Sequence, residues 1–236
     1  MLERRASSMS APTLQKRLLN QTAAELPIAG IIPFSATDWP GKLVAAAFTQ
    51  GCPLRCVYCH NSQLQAFTPG AHSLAEFLSL LSSRHGLIDA AVISGGEPTA
   101  VRGLGDAIAA IHNIGFPVGI HTCGYAPSRI AELLRDPATT PDWVGLDIKA
   151  LPRHMREVTG CSPRVATAVW DSLRILQESE IDVTLRTTLW EGSVIEQNID
   201  ELRSVVKNRS MDSSVELVIQ HARAADGSPW TPDCCF

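Results

Sequence analysis

Apolar residues in this chain come in short unbroken runs, separated by longer stretches with a helical period. From Val44 onward six strand-like runs are legible: Val44–Gln50, Ala90–Ser94, Pro117–Thr122, Trp143–Lys149, Asp182–Thr188 and Val215–His221. Their interiors are Val, Ile, Leu and Ala with little polar alternation, as expected of parallel strands covered on both faces. Between them Ser73–Leu81, Ser128–Arg135, Val165–Glu178 and Val194–Val206 read as helices. Ser73 is a natural N-cap, and Glu76 three residues on completes a capping box. Repeated strand–helix units imply an α/β fold with a parallel sheet and right-handed crossovers. Six units fall short of the eight that close a full barrel.

In barrel-like sheets the chemistry sits at the C-terminal ends of the strands. Here those ends carry Gln50 to Cys59, Ser94 to Glu97, His121 to Gly124, Asp147 with Lys149, Arg186, and Gln220 with His221. Every strand delivers polar or unusual residues to one rim, which scattered polar positions would not do.

Composition narrows the function classes. The 236 residues suit one sizeable domain, and 45% apolar with 19% charged residues is an ordinary globular balance. A net charge of −4 provides no electrostatic footprint for nucleic acid. No apolar run approaches the roughly 18 residues of a membrane span. Seven cysteines, three of them clustered, do not form a secreted disulfide framework, so a reducing cytoplasm is the expected location. Residues 1–29 carry Arg4-Arg5 but no apolar segment behind them, and read as a mobile extension ahead of a core at 30–236.

The cysteine cluster is Gly51-Cys52-Pro53-Leu54-Arg55-Cys56-Val57-Tyr58-Cys59-His60-Asn61, a tight loop leaving the first strand. Structural zinc usually takes paired knuckles and four protein ligands, and an ordinary four-iron cluster takes four cysteines. Three clustered thiols would leave one iron of such a cluster open to a substrate. A zinc site completed by His60, or a chance group of buried thiols, are the competing readings.

Cys52, Cys56 and Cys59, with Tyr58 before the third, resemble the cluster loop of radical S-adenosylmethionine (SAM) enzymes. Gly30 to Lys42, with Asp38-Trp39-Pro40-Gly41, together with Gln50-Gly51-Cys52-Pro53 and Cys59-His60-Asn61, resemble the glycyl-radical-enzyme activases. Among these the likeness is greatest to anaerobic ribonucleoside-triphosphate reductase activating proteins. The resemblance implies a partial (β/α)6 TIM-like barrel in a single domain, holding a [4Fe-4S] cluster on Cys52, Cys56 and Cys59 and binding SAM.

It also implies roles along the rim. Tyr58 stands beside the cluster and suits adenine, although a packing aromatic would look the same. Gly95 and Gly96 allow close backbone approach, and Glu97 is an anion able to accept from the SAM ammonium; a plain strand-to-helix turn is the competing reading. Asp147 and Lys149 share one strand face, either as SAM contacts or as a structural salt bridge. Arg186 is a cationic fork suited to the SAM carboxylate. His121-Thr122-Cys123-Gly124 departs from the activases' Asp-Thr-Asn-Gly: Thr122 and Gly124 match, whereas His121 and Cys123 do not and read as core residues. His221 faces SAM or a partner loop, or is structural. Cys161, Cys234 and Cys235 have no spacing for a second cluster.

The implied activity is reductive SAM cleavage and formation of a glycyl radical on a partner anaerobic ribonucleoside-triphosphate reductase, with flavodoxin or ferredoxin as electron donor. The partner loop would enter the open side of the barrel, near Asp38 to Gly41. The alternatives are an activase of the pyruvate formate-lyase type, a small-molecule enzyme such as a 7-carboxy-7-deazaguanine synthase, and a degenerate or zinc-bound scaffold.

Overall fold

A computed structural model describes residues 26–211, 216–224 and 227–231. One seven-stranded sheet runs in chain order: β1 Ile28–Ser35, β2 Val44–Thr49, β3 Ala90–Gly95, β4 Val118–Thr122, β5 Trp143–Asp147, β6 Asp182–Leu189 and β7 Leu217–His221. Strands β2 to β7 are parallel and correspond to the six expected from the apolar runs. Sheet order leaves β1 and β7 as opposite edges, so the curved sheet is a partial barrel that does not close.

β1 pairs antiparallel with β2 and was not legible as a strand. Its Gly30 and Pro33 argue against a strand in sequence, yet an edge strand tolerates proline because one side of its backbone needs no ladder partner. Leu26 and Ile28 are already buried, so the folded unit crosses the expected boundary at 30. Residues 1–25, Val215 and the Cys234-Cys235 pair lie outside the described residues.

The helices are α1 Leu74–Ser82, α2 Leu104–Asn113, α3 Pro127–Leu133, α4 Met155–Thr159, α5 Ala168–Gln177, α6 Val194–Gln197 and α7 Ile199–Arg209. The capping box at Ser73 and Glu76 is present, with both reciprocal hydrogen bonds. α2 starts at Gly103, at φ 76 and without a side-chain cap, so its sequence carries no usual start signal. The single helix expected over Val194–Val206 is broken at Asn198. There the side-chain amide donates to the Val194 carbonyl at 2.7 Å, competing with the helical ladder. Among the described residues no helix is long and apolar enough to cross a membrane.

Two apolar clusters hold the sheet. On the outer face Ile93, Ile120, Val144, Leu146 and Leu185 meet Phe77, Ile108, Ile130, Leu173 and Leu202 of the helices. On the inner face a small cluster of Trp39, Val44, Ala46, Ala90, Val92 and Trp143 fills the barrel floor. Trp39 stacks on Trp143 with ring centroids 5.1 Å apart. Gly119 makes this possible, since a Cβ there would stand 2.7 Å from Trp39 and 2.8 Å from Trp143.

This corrects the placement of Asp38 to Gly41 near the mouth. Antiparallel pairing with Ser35 opposite Val44 puts the connecting turn at the N-terminal end of β2. From there Trp39, only 6% exposed, plugs the floor beneath the site.

Candidate functional site

Above the tryptophan floor opens a cavity of about 710 Å³. All twelve residues that the sequence assigned to the site line it: Cys52, Cys56, Tyr58, Cys59, Gly95, Gly96, Glu97, Thr122, Asp147, Lys149, Arg186 and His221. The parallel register explains the convergence, because strands in step end at one level and present their last residues to a common space. Asp38, Thr188 and Arg223 also line it and were not assigned. No sequence signal marks Thr188 or Arg223, whereas Asp38 arrives only because Trp39 anchors its turn.

The cysteine loop is folded against its surroundings by main-chain hydrogen bonds. Gly51 N–H donates to the Leu64 carbonyl at 2.8 Å, and Arg55 and Val57 N–H donate to the Thr159 and Val158 carbonyls at 2.8 and 3.0 Å. Burial pushes the Cys52 thiol up to about 12, against the Leu54 N–H that supports its thiolate, and the Cys56 thiol up to about 11, against the Lys149 ammonium. Such thiols are neutral until a metal displaces their protons. The donor set fits an iron–sulfur cluster: three thiols facing one cavity, with a lysine ammonium close by to balance thiolate charge. A zinc reading fits less well. Among the described residues no three His, Cys, Asp or Glu side chains converge on a single-ion site.

The Gly95-Gly96 turn follows β3 and meets the cysteine loop backbone to backbone. Gly96 N–H donates to the Thr49 carbonyl and Glu97 N–H to that of Gly51, both at 2.9 Å. A Cβ on Gly96 would stand 2.2 Å from the Gly51 oxygen. The missing side chains are therefore required by the neighbouring strand, whatever a ligand also needs.

Glu97 was expected to offer its carboxylate to a ligand ammonium. It lines the cavity, is only 1% exposed, and is also bonded by its own chain. Oε1 accepts from Thr99 N–H (3.0 Å), Thr99 Oγ1 (2.6 Å) and Thr122 Oγ1 (2.6 Å), and Oε2 accepts from Cys123 N–H (2.8 Å). The side chain ties the end of β3 to the end of β4. Burial, then the adjacent Glu97 carboxylate, raises the Cys123 thiol well above its ordinary range, consistent with a neutral packing residue.

The cavity floor is charged. Asp147 Oδ1 accepts from Arg186 Nε at 2.9 Å and Oδ2 from Lys149 Nζ at 3.0 Å. Burial alone would raise the Asp147 carboxyl; Arg186 and then Lys149 outweigh it and bring it down to about 2. Two cations around one carboxylate leave a surplus positive charge, which suits an anionic ligand group. Lys149 Nζ also lies 5.6 Å from the Tyr58 ring centroid, in cation–π range. The structural salt bridge and the ligand-facing charges are thus the same residues.

His121 joins these pieces. Its Nε2 lies 2.6 Å from the Asp38 carbonyl and must carry the proton, which leaves Nδ1 to accept from Ser94 Oγ at 3.1 Å. Burial first, then the Arg186 guanidinium, holds the ring below the usual imidazole range, so it is neutral. Gly145 leaves room for the arrangement; a Cβ there would stand 3.0 Å from the Arg186 guanidinium carbon. His221 and Gln220 are exposed at the rim. Cys161 is buried in the outer core.

Comparison with known proteins follows the same outline. The chain is 29% identical over 188 residues to a putative glycyl-radical enzyme activating enzyme of Methanocaldococcus jannaschii, covering 77% of this chain and 75% of that protein. It is 29% identical over 195 residues to the pyruvate formate-lyase-activating enzyme of Clostridium pasteurianum, covering 78% and 77%. The crystal structure of QueE from Escherichia coli matches with a TM-score of 0.53 at 16% identity, over 86% of this chain and 88% of that one, a likeness of fold. The model of the radical SAM superfamily matches residues 47–205, from within β2 through the cysteine loop to α7. The chain belongs to the radical SAM superfamily, whose members are enzymes that use a [4Fe-4S] cluster and SAM.

Proposed function

We propose that this protein reductively cleaves SAM and installs a glycyl radical on a partner anaerobic ribonucleoside-triphosphate reductase. The observation that carries the reading is the meeting of Cys52, Cys56 and Cys59 with the Asp147–Lys149–Arg186 floor in one cavity. Similarity to activating enzymes over three quarters of the chain supports the activase class. In this reading Cys52, Cys56 and Cys59 hold the cluster. When bound, the cluster supplies the electron that breaks the sulfur–C5′ bond of SAM and so generates the agent of hydrogen abstraction. Lys149 and Arg186, with a surplus charge over Asp147, receive the SAM carboxylate. Tyr58 packs against the nucleoside, and Glu97 keeps the Gly95-Gly96 turn and Thr122 in register. The gap between β1 and β7 admits the partner's glycine segment, with His221 at its edge.

An activase of the pyruvate formate-lyase type is the second reading, favoured by the similarity to the Clostridium enzyme. Anaerobic reconstitution should incorporate about four iron and four sulfide per chain, and Cys56→Ala should lose most of both. Reduced protein with SAM and a reductase should yield a glycine-type doublet in electron paramagnetic resonance, abolished when the reductase's loop glycine becomes alanine. A radical on a formate-lyase only would move the assignment to the second reading. SAM cleavage that depends on a small molecule, with no radical on either partner, would overturn both.

A further inference from the structure

Between the first two cysteines stands Arg55, an exposed side chain that neither the cavity nor the charged floor uses. Its guanidinium folds back on its own loop. Nη1 donates to the Cys52 carbonyl and to the Leu54 carbonyl, each at 2.8 Å. These two carbonyls bracket the short turn that follows Cys52, whose side chain lines the cavity. The side chain thus clamps the peptide units next to a cavity-lining cysteine, and it sets a permanent positive charge beside them.

The other half of the loop is held separately. Arg55 and Val57 donate their backbone N–H groups to the last carbonyls of α4, groups that a helix end leaves without intrahelical partners. Position 160 follows with φ 65, and a Cβ on Gly160 would be 3.4 Å from Arg55 Cβ, so loop and helix end are in direct contact. Replacing the Arg55 side chain therefore leaves the Cys56 end of the loop anchored.

We infer that Arg55 is a positioning residue that raises the reduction potential of the group held by Cys52, Cys56 and Cys59. The inference rests on the cluster reading above. Reduction potentials of iron–sulfur clusters follow net charge, hydrogen bonds to sulfur and solvent exposure. Arg55 acts on the first directly and on the second through the turn it clamps. Each favours the reduced, more negative form, and the charge contribution is tempered by solvent because the side chain is exposed.

The test is a reductive titration of the full chain, anaerobically reconstituted and followed by electron paramagnetic resonance, in the native protein, Arg55→Gln and Arg55→Lys. Iron and sulfide per chain should match the native protein in both variants. At the native midpoint potential the reduced fraction of Arg55→Gln should fall clearly below one half, and that of Arg55→Lys, which keeps the charge but not the fork, should fall less. A native midpoint in Arg55→Gln overturns the inference. So does loss of iron from both variants, which would make Arg55 a folding residue of the loop. Absence of iron from the native protein would instead overturn the cluster reading itself.

Discussion

The two faces of β5 show how one strand serves two purposes. Val144 and Leu146 point outward into the helix layer, whereas Trp143, Gly145 and Asp147 point into the barrel. Outward, each side chain meets many apolar neighbours and any one of several hydrophobes would do. Inward, each position has its own neighbour. Trp143 stacks on Trp39 and donates from Nε1 to Thr184 Oγ1 at 3.0 Å, Gly145 makes room for Arg186, and Asp147 joins two cations. The outer face is fastened by area and the inner face by pairing, so the two should fail differently.

The largest effect is expected outside the site. Phe77→Ala on α1 empties a fully buried position of the outer core and should cost about 3–5 kcal/mol in urea unfolding. SAM affinity, measured by calorimetry on the reconstituted protein, should be unchanged. A loss of SAM binding without a loss of stability would erase the distinction between the faces.

Asp147→Asn on the inner face should cost about 3 kcal/mol, the low end for breaking a buried pair because the group is partly exposed, and should weaken SAM binding as well. The native carboxyl sits at about 2, below its unfolded value near 3.8, so the folded state binds its proton less readily. Its contribution is complete above about pH 5 and is lost as the pH falls through 3.8 towards 2. Unfolding free energy measured across that interval should lose this acid limb in Asp147→Asn. An unchanged limb would show that another carboxylate carries it.

A smaller effect, about 1–3 kcal/mol, is expected for Gly119→Ala, because the new methyl overlaps both rings of the Trp39–Trp143 stack. Tryptophan fluorescence should shift with it, and an unshifted spectrum at native stability would show that the floor yields at little cost. The smallest is Ser73→Ala, which removes a capping box outside the site. About 1 kcal/mol of stability should go, read from thermal unfolding, with SAM affinity untouched.

How far each face was legible follows from the same contrast. Ala90 to Ser94 and Trp143 to Asp147 stand out because a buried parallel strand needs an unbroken apolar run, a local property. The rim was legible for a similar reason, since parallel strands in step must end together. Glu97 shows the limit. Its place on the rim was readable, but whether its carboxylate meets a ligand or four groups of its own chain depends on Thr122 and Cys123, a whole strand–helix unit away. Asp38 shows it again, because its position depends on Trp39 finding Trp143 across more than a hundred residues.

What the sequence alone determined is therefore the repeating strand–helix order, the cysteine loop at the end of the first parallel strand, and the set of residues that share the rim. These depend on the period of apolar positions and on spacings of a few residues, which chain geometry converts directly into faces and turns. Only the tertiary structure decided that Trp39 plugs the floor, that His121 is a neutral bridge, that Glu97 ties β3 to β4 and that Asp147 holds both Lys149 and Arg186. Those outcomes are pairings between distant strands, and which donor meets which acceptor is settled only when the sheet curves and brings the inner faces within hydrogen-bonding reach.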